Sequence, residues 1–322
     1  MKFKLVGAIS ASVIALSAAV ASAQEKVNVA APNWSSATAI ANLIKVLVDE
    51  KVGGEATLVP GTNATIYQGM DRGKGDIDVH PDIWLPNQAN FTQEFVDEKG
   101  TVVLSGNHYD GKQGFCVSKA FQEKTGITSI YDLARPDIAQ MLDSDGNGKG
   151  EMWIGAPGWN SANVNEIKVR DYGLLPFIEP FRAEQTVNTN RVGDRIAKGE
   201  GVAFYCYAPE AIWFMHDIVQ LDEPAHDPSK YNVVQASEDP DWLAKSKVET
   251  ADAPREVQIG YSKSLEERSP NIVKLLNGIA LDTDTVSGWA FEMIVNNRDA
   301  EEVVREWIDA NPERVDGWLG LN

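Results

Sequence analysis

The chain has 322 residues, with 47 Asp or Glu against 29 Lys or Arg, so its formal net charge is −18. This acidity argues against a nucleic-acid partner, because phosphate backbones attract basic surfaces. The length allows a large core, which we expect to be divided between two lobes.

The first 23 residues have the pattern of a secretory signal peptide. Lys2 and Lys4 precede an apolar run over residues 5–20, and small residues follow at positions 21–23. The run is short for a membrane span, and no cysteine lies near the expected cleavage site after Ala23. We therefore expect an exported periplasmic protein that is neither lipid-anchored nor embedded in a membrane.

Short apolar runs then alternate with amphipathic segments, which predicts an α/β fold. The first elements are strands at residues 27–30, 56–59 and 76–79, and helices at residues 35–50 and 62–70. Ser35 or Ser36 is expected to cap the first helix. This order is typical of a parallel sheet that binds ligands where its strands end. Trp34 and Trp84, each just after a predicted strand, should therefore meet at one edge of the sheet.

A second series of strands and helices follows. We predict strands around Cys116, at residues 153–155 and around Phe204, and helices at residues 129–141, 162–172 and 191–198. Residues 222–256 are polar and predict a long loop. A strand at residues 257–261 and helices at residues 269–281, 285–297 and 300–311 complete the chain, with Ser269 as a cap. Trp289, Trp307 and Trp318 are expected in the core.

Cys116 and Cys206 are the two cysteines of the chain, and both lie in predicted strands. An exported protein can join such a pair in a disulfide. Two buried free thiols are the other interpretation, because the sequence does not show whether the two strands are neighbours.

Four aromatic residues stand beside strand-like runs and within two residues of Pro, Gly or Asn. They are Trp34, Trp84, Trp159 and Tyr207. A box of aromatic faces attracts a methylated ammonium group, whose diffuse charge interacts with the ring quadrupoles. The pattern therefore predicts a binding site for a small quaternary amine.

Three segments carry a resemblance to a known family. Residues 75–86, Pro157-Gly158-Trp159 and residues 257–263 resemble the glycine betaine/proline betaine substrate-binding proteins of ABC importers. The resemblance implies a type II periplasmic binding protein, in which two α/β lobes joined by a hinge close on the ligand. It places lobe 1 at residues 24–111 and 255–322. Lobe 2 would span residues 112–254, with a polar excursion at 222–254.

The resemblance also implies roles for individual residues. Trp84, Trp159 and Tyr207 would surround the trimethylammonium group, with Trp34 as a further aromatic. The backbone amides of Asn160 and Ser161 would bind a ligand carboxylate at the start of a helix that these residues are also expected to cap.

This chain departs from the family at the residues after Trp84. Relatives often have a histidine there, whereas this chain has Asn87 and Gln88. An uncharged amide at Gln88 widens the expected ligands to those with a hydroxyl, an N-oxide or a sulfonium group. Asp82 and Glu210 would either contact the polar end of the ligand or remain surface carboxylates.

The loop at residues 143–151 matches the beginning of a calcium-binding loop, although its twelfth position is Ile154 rather than Glu. A structural Ca²⁺ and a polar turn are the two interpretations. No cofactor is expected to be required for function. The candidate metal-binding residues are Asp143, Asp145, Asn147, Lys149 and Glu151.

The sequence therefore predicts a monomeric periplasmic receptor of an ABC transporter that hands one onium compound to a permease. Candidate ligands are glycine betaine, choline, proline betaine, dimethylsulfoniopropionate and trimethylamine N-oxide. A secreted enzyme acting on a choline-like compound is the alternative. The sequence has neither Gly-x-Ser-x-Gly nor a histidine-rich metal motif, so we do not expect an enzyme.

Overall fold

The computed structural model describes residues 24–321, so the predicted signal peptide at residues 1–23 lies outside the described residues. The strands are β1 (Lys26–Ala31), β2 (Glu55–Pro60), β3 (Val79–Leu85), β4 (Val102–Ser118), β5 (Gly150–Trp153), β6 (Ile178–Phe181), β7 (Ala203–Ala208), β8 (Ile218–Gln220), β9 (Tyr231–Asn232), β10 (Lys247–Val248) and β11 (Arg255–Ser262).

The helices alternate with these strands along much of the chain. They are α1 (Ser35–Leu47), α2 (Asn63–Arg72), α3 (Ala89–Thr92), α4 (Lys119–Thr125), α5 (Pro136–Leu142), α6 (Asn160–Asp171), α7 (Gln185–Ala197), α8 (Ile212–Met215), α9 (Trp242–Lys245), α10 (Leu265–Arg268), α11 (Pro270–Gly278), α12 (Thr283–Ile294), α13 (Ala300–Ala310) and α14 (Pro312–Leu319). Short π-helical turns (Val48–Val52, Gln93–Glu98) and 3₁₀ turns (Ile130–Ala134, Pro228–Lys230) complete them.

Nine strands form one mixed sheet in the order β2-β1-β3-β11-β4-β7-β5-β6, with β8 beside β4. β1 pairs in parallel with both β2 and β3, which confirms the parallel arrangement predicted for the start of the chain. β9 and β10 form a separate antiparallel pair.

The long strand β4 changes its pairing partner part-way along its length. It pairs with β11 through Gly111 and with β7 from Lys112. We call β2, β1, β3, β11 and residues 102–111 the first half of the sheet. The second half consists of residues 112–118, β7, β8, β5 and β6. The division into two lobes stays a prediction, and its expected boundary coincides with this change of partner.

The third strand lies further along the chain than the sequence predicted. It was expected at residues 76–79 but spans Val79–Leu85, so Trp84 lies within the strand and not after it. Pro81 obscured this strand, because proline cannot donate to a ladder and usually marks a strand end or a bulge. Here the pairing of β11 with β3 shifts register between Gln258 and Gly260, next to Pro81. That irregularity accommodates the proline inside a buried strand.

Of the three predicted helix caps, Ser269 is confirmed as an N-cap position and the other two are wrong. Trp34 is the N-cap of α1 without a side-chain cap bond, and the hydroxyl of Ser36 donates to Asp82 instead. Ser269 is the N-cap of α11, but its hydroxyl donates to a backbone carbonyl of β1. α6 begins at Asn160 with Trp159 as its N-cap, so neither Asn160 nor Ser161 has the capping role.

The C-terminal tryptophans pack together, as expected for a core. Trp307 meets Trp289 edge to face at 5.2 Å and stacks on Trp318 at 5.5 Å. Trp318 lies on α14, a helix beyond the last one predicted from the sequence. Helix α4 was also missed.

Cys116 and Cys206 form a disulfide between β4 and β7, with their Cα atoms 5.7 Å apart. The two strands are antiparallel neighbours, which the sequence did not reveal. The interpretation as free thiols is therefore wrong.

Candidate functional site

Four aromatic rings form a box between the two halves of the sheet. Trp34 meets Trp159 edge to face at 5.9 Å and 81°. Trp159 meets Tyr207 at 5.8 Å and 84°, and Tyr207 meets Trp84 at 5.6 Å and 88°. All four rings line one cavity. The structure thus brings together the four aromatics singled out in the sequence, with two walls from each half.

Asp82 holds the two walls that come from the first half of the sheet. Its Oδ2 accepts hydrogen bonds from the indole nitrogens of Trp34 at 2.6 Å and Trp84 at 2.9 Å. The Ser36 hydroxyl also donates to Oδ2, at 2.6 Å, and the Tyr109 hydroxyl donates to Oδ1, at 2.5 Å. Burial raises the pKa of Asp82, and these four hydrogen bonds oppose the rise. The interpretation as a surface carboxylate is wrong, because Asp82 is fully buried behind the box.

The other two walls come from the second half and are supported from both halves. The indole N–H of Trp159 donates to Asn33 Oδ1 at 2.8 Å, and Trp153 meets its ring edge to face at 5.8 Å. Tyr205 stacks on Tyr207 at 5.7 Å and also lines the cavity. Tyr205 was not predicted as a site residue from the sequence. Its position two residues before Tyr207 on a strand was the available signal, because residues i and i+2 share one face.

The rest of the cavity wall is polar and uncharged. No acidic or basic side chain lines it in the described part of the chain. Gln88 is at the wall, as expected, and its buried side-chain oxygen has no hydrogen-bond partner there. Asn63 was not singled out from the sequence, and Asn87 was noted only as the neighbour of Gln88. The polar lining residues are Asn63, Asn87, Gln88, Asn160 and Ser161.

A chain of hydrogen bonds links these polar residues across the cleft. His80 Nδ1 accepts from the backbone N–H of Asp82, so its Nε2 is the nitrogen that donates to Asn63 Oδ1, at 3.1 Å. Burial lowers the pKa of His80 to about 3, which keeps the ring neutral. Asn63 then donates to Asn160 Oδ1 at 3.1 Å, and Asn160 donates to Asn90 at 3.4 Å.

Helix α6 starts at this polar wall. Its first amides, at Asn160 and Ser161, have no acceptor within the helix, and they lie at the positive end of the helix dipole. This end of the cavity can therefore receive a negatively polarised group of a ligand.

Glu210 is buried beside the box and is not a surface carboxylate. Its two oxygens accept from Gln185 Nε2 at 2.7 Å and from the backbone N–H of Ile212 at 2.6 Å. Burial raises its pKa, and these hydrogen bonds oppose the rise. It does not line the aromatic cavity.

The loop at residues 143–151 brings three of its predicted metal ligands together. Carboxylate oxygens of Asp143, Asp145 and Glu151 lie within 4.8 Å of one another. These oxygens accept hydrogen bonds from amides of the loop itself. The side chain of Asn147 donates to Asp145, and the Lys149 ammonium donates to a backbone carbonyl outside the loop. Calcium binding at this loop stays a prediction.

Within residues 24–321, no helix combines the length and the apolar character needed to cross a membrane.

Comparison with known proteins gives one family and several relatives. Residues 25–310 match the family model described as the substrate binding domain of the ABC-type glycine betaine transport system. The glycine betaine-binding periplasmic protein OusX of Dickeya dadantii is 25% identical over 228 residues, which cover 64% of this chain and 63% of OusX. The glycine betaine/proline betaine-binding periplasmic protein of Salmonella typhimurium is 23% identical, with 64% and 63% covered. The matches therefore span slightly less than two thirds of these relatives.

Solved structures show the same fold. Lactococcal OpuAC, crystallised in a closed form with glycine betaine, superposes with a TM-score of 0.71 at 20% identity, over 92% of this chain and all of that one. A choline-binding protein of an ABC transporter in complex with choline gives 0.71 at 16% identity, over 92% and 91% of the two chains. These matches confirm the type II periplasmic binding protein fold expected from the sequence.

Proposed function

The chain belongs to the family of substrate-binding domains of ABC-type glycine betaine transport systems, and we propose that it binds one small methylated onium compound in the aromatic box and delivers it to a membrane permease. It would act in the periplasm as a monomer. Binding, rather than chemical conversion, is the proposed activity.

The observation that carries this proposal is the geometry of the box. Three successive angles of 81°, 84° and 88° set neighbouring rings nearly perpendicular around one cavity. Rings around a cavity can contact a compact trimethylammonium group on several sides. Desolvated cation–π contacts of about 2 kcal/mol each, from four walls, would supply the roughly 8 kcal/mol that micromolar affinity requires.

The polar wall supports a ligand that carries a hydrogen-bond acceptor at the end opposite its onium group. The free amides at the start of α6 would donate to that end, whether it is a carboxylate, an N-oxide or a hydroxyl oxygen. Gln88 offers a buried oxygen without a partner in the described residues, so it would accept from a ligand hydroxyl. These contacts support the onium compounds named from the sequence as one ligand class.

A binding panel tests the proposed function. Glycine betaine, proline betaine, choline, carnitine, dimethylsulfoniopropionate and trimethylamine N-oxide would each be titrated calorimetrically, with neutral sugars and ordinary amino acids as controls. We expect at least one onium compound to bind with a Kd of about 1 μM and the controls not to bind. Binding of only the controls, or turnover of a choline-like compound, would contradict the proposal.

We also propose that the two halves of the sheet, acting as lobes, close on the ligand. Asn33 is at the seam between them. Its Oδ1 accepts from Trp159, and its Nδ2 donates to Glu184 Oε2 at 2.8 Å. These hydrogen bonds favour the closed arrangement without lining the aromatic cavity.

Replacing Asn33 with alanine is therefore expected to lower the affinity for every onium ligand by a similar factor, about tenfold, because the closed form becomes less populated. Calorimetry with two ligands of the panel measures this factor. Asn42→Ala is the matched control, because Asn42 donates only within α1, to the carbonyl of Thr38. Unchanged affinities in Asn33→Ala would argue against this role in closure.

A further inference from the structure

Asp82 differs from most other buried carboxylates of the protein in having no cationic partner. Asp78 pairs with Arg268, and Asp252 pairs with Lys168 and Arg255. Among residues 24–321, no lysine, arginine or histidine forms an ion pair with Asp82. Its neighbour His80 accepts a hydrogen bond at Nδ1 and is held neutral by burial.

The hydrogen bonds around Asp82 require an acceptor. Its Oδ2 receives three of them, from Trp34, Ser36 and Trp84. An indole nitrogen can only donate, so Oδ2 must remain an acceptor, and with the Tyr109 hydroxyl at Oδ1 four donors converge on the two carboxylate oxygens. The arrangement fits an ionised carboxylate whose charge is stabilised by hydrogen bonds alone.

The position of this charge is also specific. It lies directly behind Trp34 and Trp84, which are two adjoining walls of the box. A hydrogen bond from an indole N–H to an anion polarises the indole and makes its ring a better partner for a cation. The attraction between a buried carboxylate and a nearby cation is also strong, because the protein interior screens charge less than water does.

From these observations we propose that the Asp82 carboxylate is the fixed counter-charge of the box and a specificity-determining residue, which makes the site prefer a trimethylammonium group over an uncharged tert-butyl group of the same shape. Asp82 acts through Trp34 and Trp84 and not by contact with the ligand. The inference rests on the proposed function, because it assigns the charge preference of the same site.

The Asp82→Asn variant removes the negative charge of residue 82 and keeps the shape of the side chain. The amide oxygen can take the place of Oδ2 and accept from both indoles. The amide nitrogen can then donate to the hydroxyl of Tyr109, which is able to accept. The walls of the box therefore keep their hydrogen bonds while the negative charge is lost.

Two matched pairs of probes report the charge preference. Choline is compared with 3,3-dimethylbutan-1-ol, and glycine betaine with 3,3-dimethylbutanoate, in which carbon replaces the ammonium nitrogen. Affinities are measured by titration of tryptophan fluorescence. In Asp82→Asn we expect the affinity for the trimethylammonium compound of each pair to fall about 10- to 30-fold. The affinity for the matching tert-butyl compound should change less than about twofold.

Ser36→Ala is the matched control, because it removes one hydrogen bond to the same oxygen and keeps the charge. It should retain the ratio between the two members of each pair. Thermal unfolding confirms that the variants are folded, and Asp82→Ser, which also removes the charge, gives the same comparison if Asp82→Asn does not fold.

The outcomes are distinguishable. Equal losses for both members of a pair would show that Asp82 only supports the walls, and unchanged affinities for both members would show that its charge is not felt in the box. Either result overturns the inference and leaves the proposed function intact. Failure of the unmodified protein to bind any onium compound would instead overturn the proposed function, and the inference with it.

Discussion

Replacing Trp159 with alanine is expected to lower the affinity for the best onium ligand by at least about 100-fold. The change removes one wall of the box, and a desolvated cation–π contact is worth about 2 kcal/mol. It also removes the hydrogen bond to Asn33 that spans the cleft. The edge contacts with Trp34 and Tyr207 are lost as well. Calorimetric titration of the variant measures the loss.

Trp159→Phe is the matched control for this prediction. It keeps an aromatic face in the box but has no N–H to donate to Asn33, so its affinity should fall by only about tenfold. Both variants are expected to remain folded, which circular dichroism checks. Full affinity in a folded Trp159→Ala variant would remove Trp159 from the binding site.

The residues of the box were predictable because each combines a turn-like setting with a strand-like run. Trp84 and Trp159 also lie in family motifs, whereas Trp34 was inferred mainly from its loop. How the walls are held was not predictable. That depends on which side chains the folded sheet brings behind the rings, and Asp82 gave no sign in the sequence that two indoles would share its oxygen.

The elements that depend on local sequence patterns were predictable. Those that depend on which distant strands pair with each other were not. Apolar runs and amphipathic segments indicated the parallel start of the sheet, which the pairing of β1 with β2 and β3 confirms. The position of β3 was missed because the register shift at Pro81 arises in the pairing of β3 with β11, a strand far along the chain. The sequence could not decide between a disulfide and two free thiols for the same reason, because β4 and β7 are neighbours in the sheet but far apart in the sequence.

The segment that returns the chain to the first half of the sheet is anchored by a buried ionic network. Lys168, on α6, contacts Asp252 at 2.7 Å and Glu223 at 2.9 Å. Asp252 also contacts Arg255, the first residue of β11, at 2.5 Å. All four side chains are at most 4% exposed. The network therefore joins the helix that begins at the binding site to the strand that leads back across the sheet.

Asp252→Asn is expected to lower the free energy of unfolding by about 3–5 kcal/mol, because the buried Arg255 would lose its ion-pair partner and Lys168 would keep only Glu223. Urea unfolding at neutral pH measures the loss. Glu55→Gln is the control, since Glu55 forms an exposed ion pair with Lys26 and its loss should have little effect. A variant as stable as the original protein would show that the network does not stabilise the fold.

The loss of unfolding free energy in Asp252→Asn should also become smaller as the pH falls. Burial alone would raise the pKa of Asp252, but attraction to Lys168 and Arg255 outweighs it and holds that pKa well below its usual range. A carboxyl group with a depressed folded-state pKa stabilises the protein above its unfolded value of about 4, and this contribution is lost as pH falls towards the folded value. The difference in unfolding free energy between the original protein and Asp252→Asn should therefore be full above about pH 5 and shrink at lower pH. A constant difference across that range would mean that Asp252 acts by packing and not by its charge.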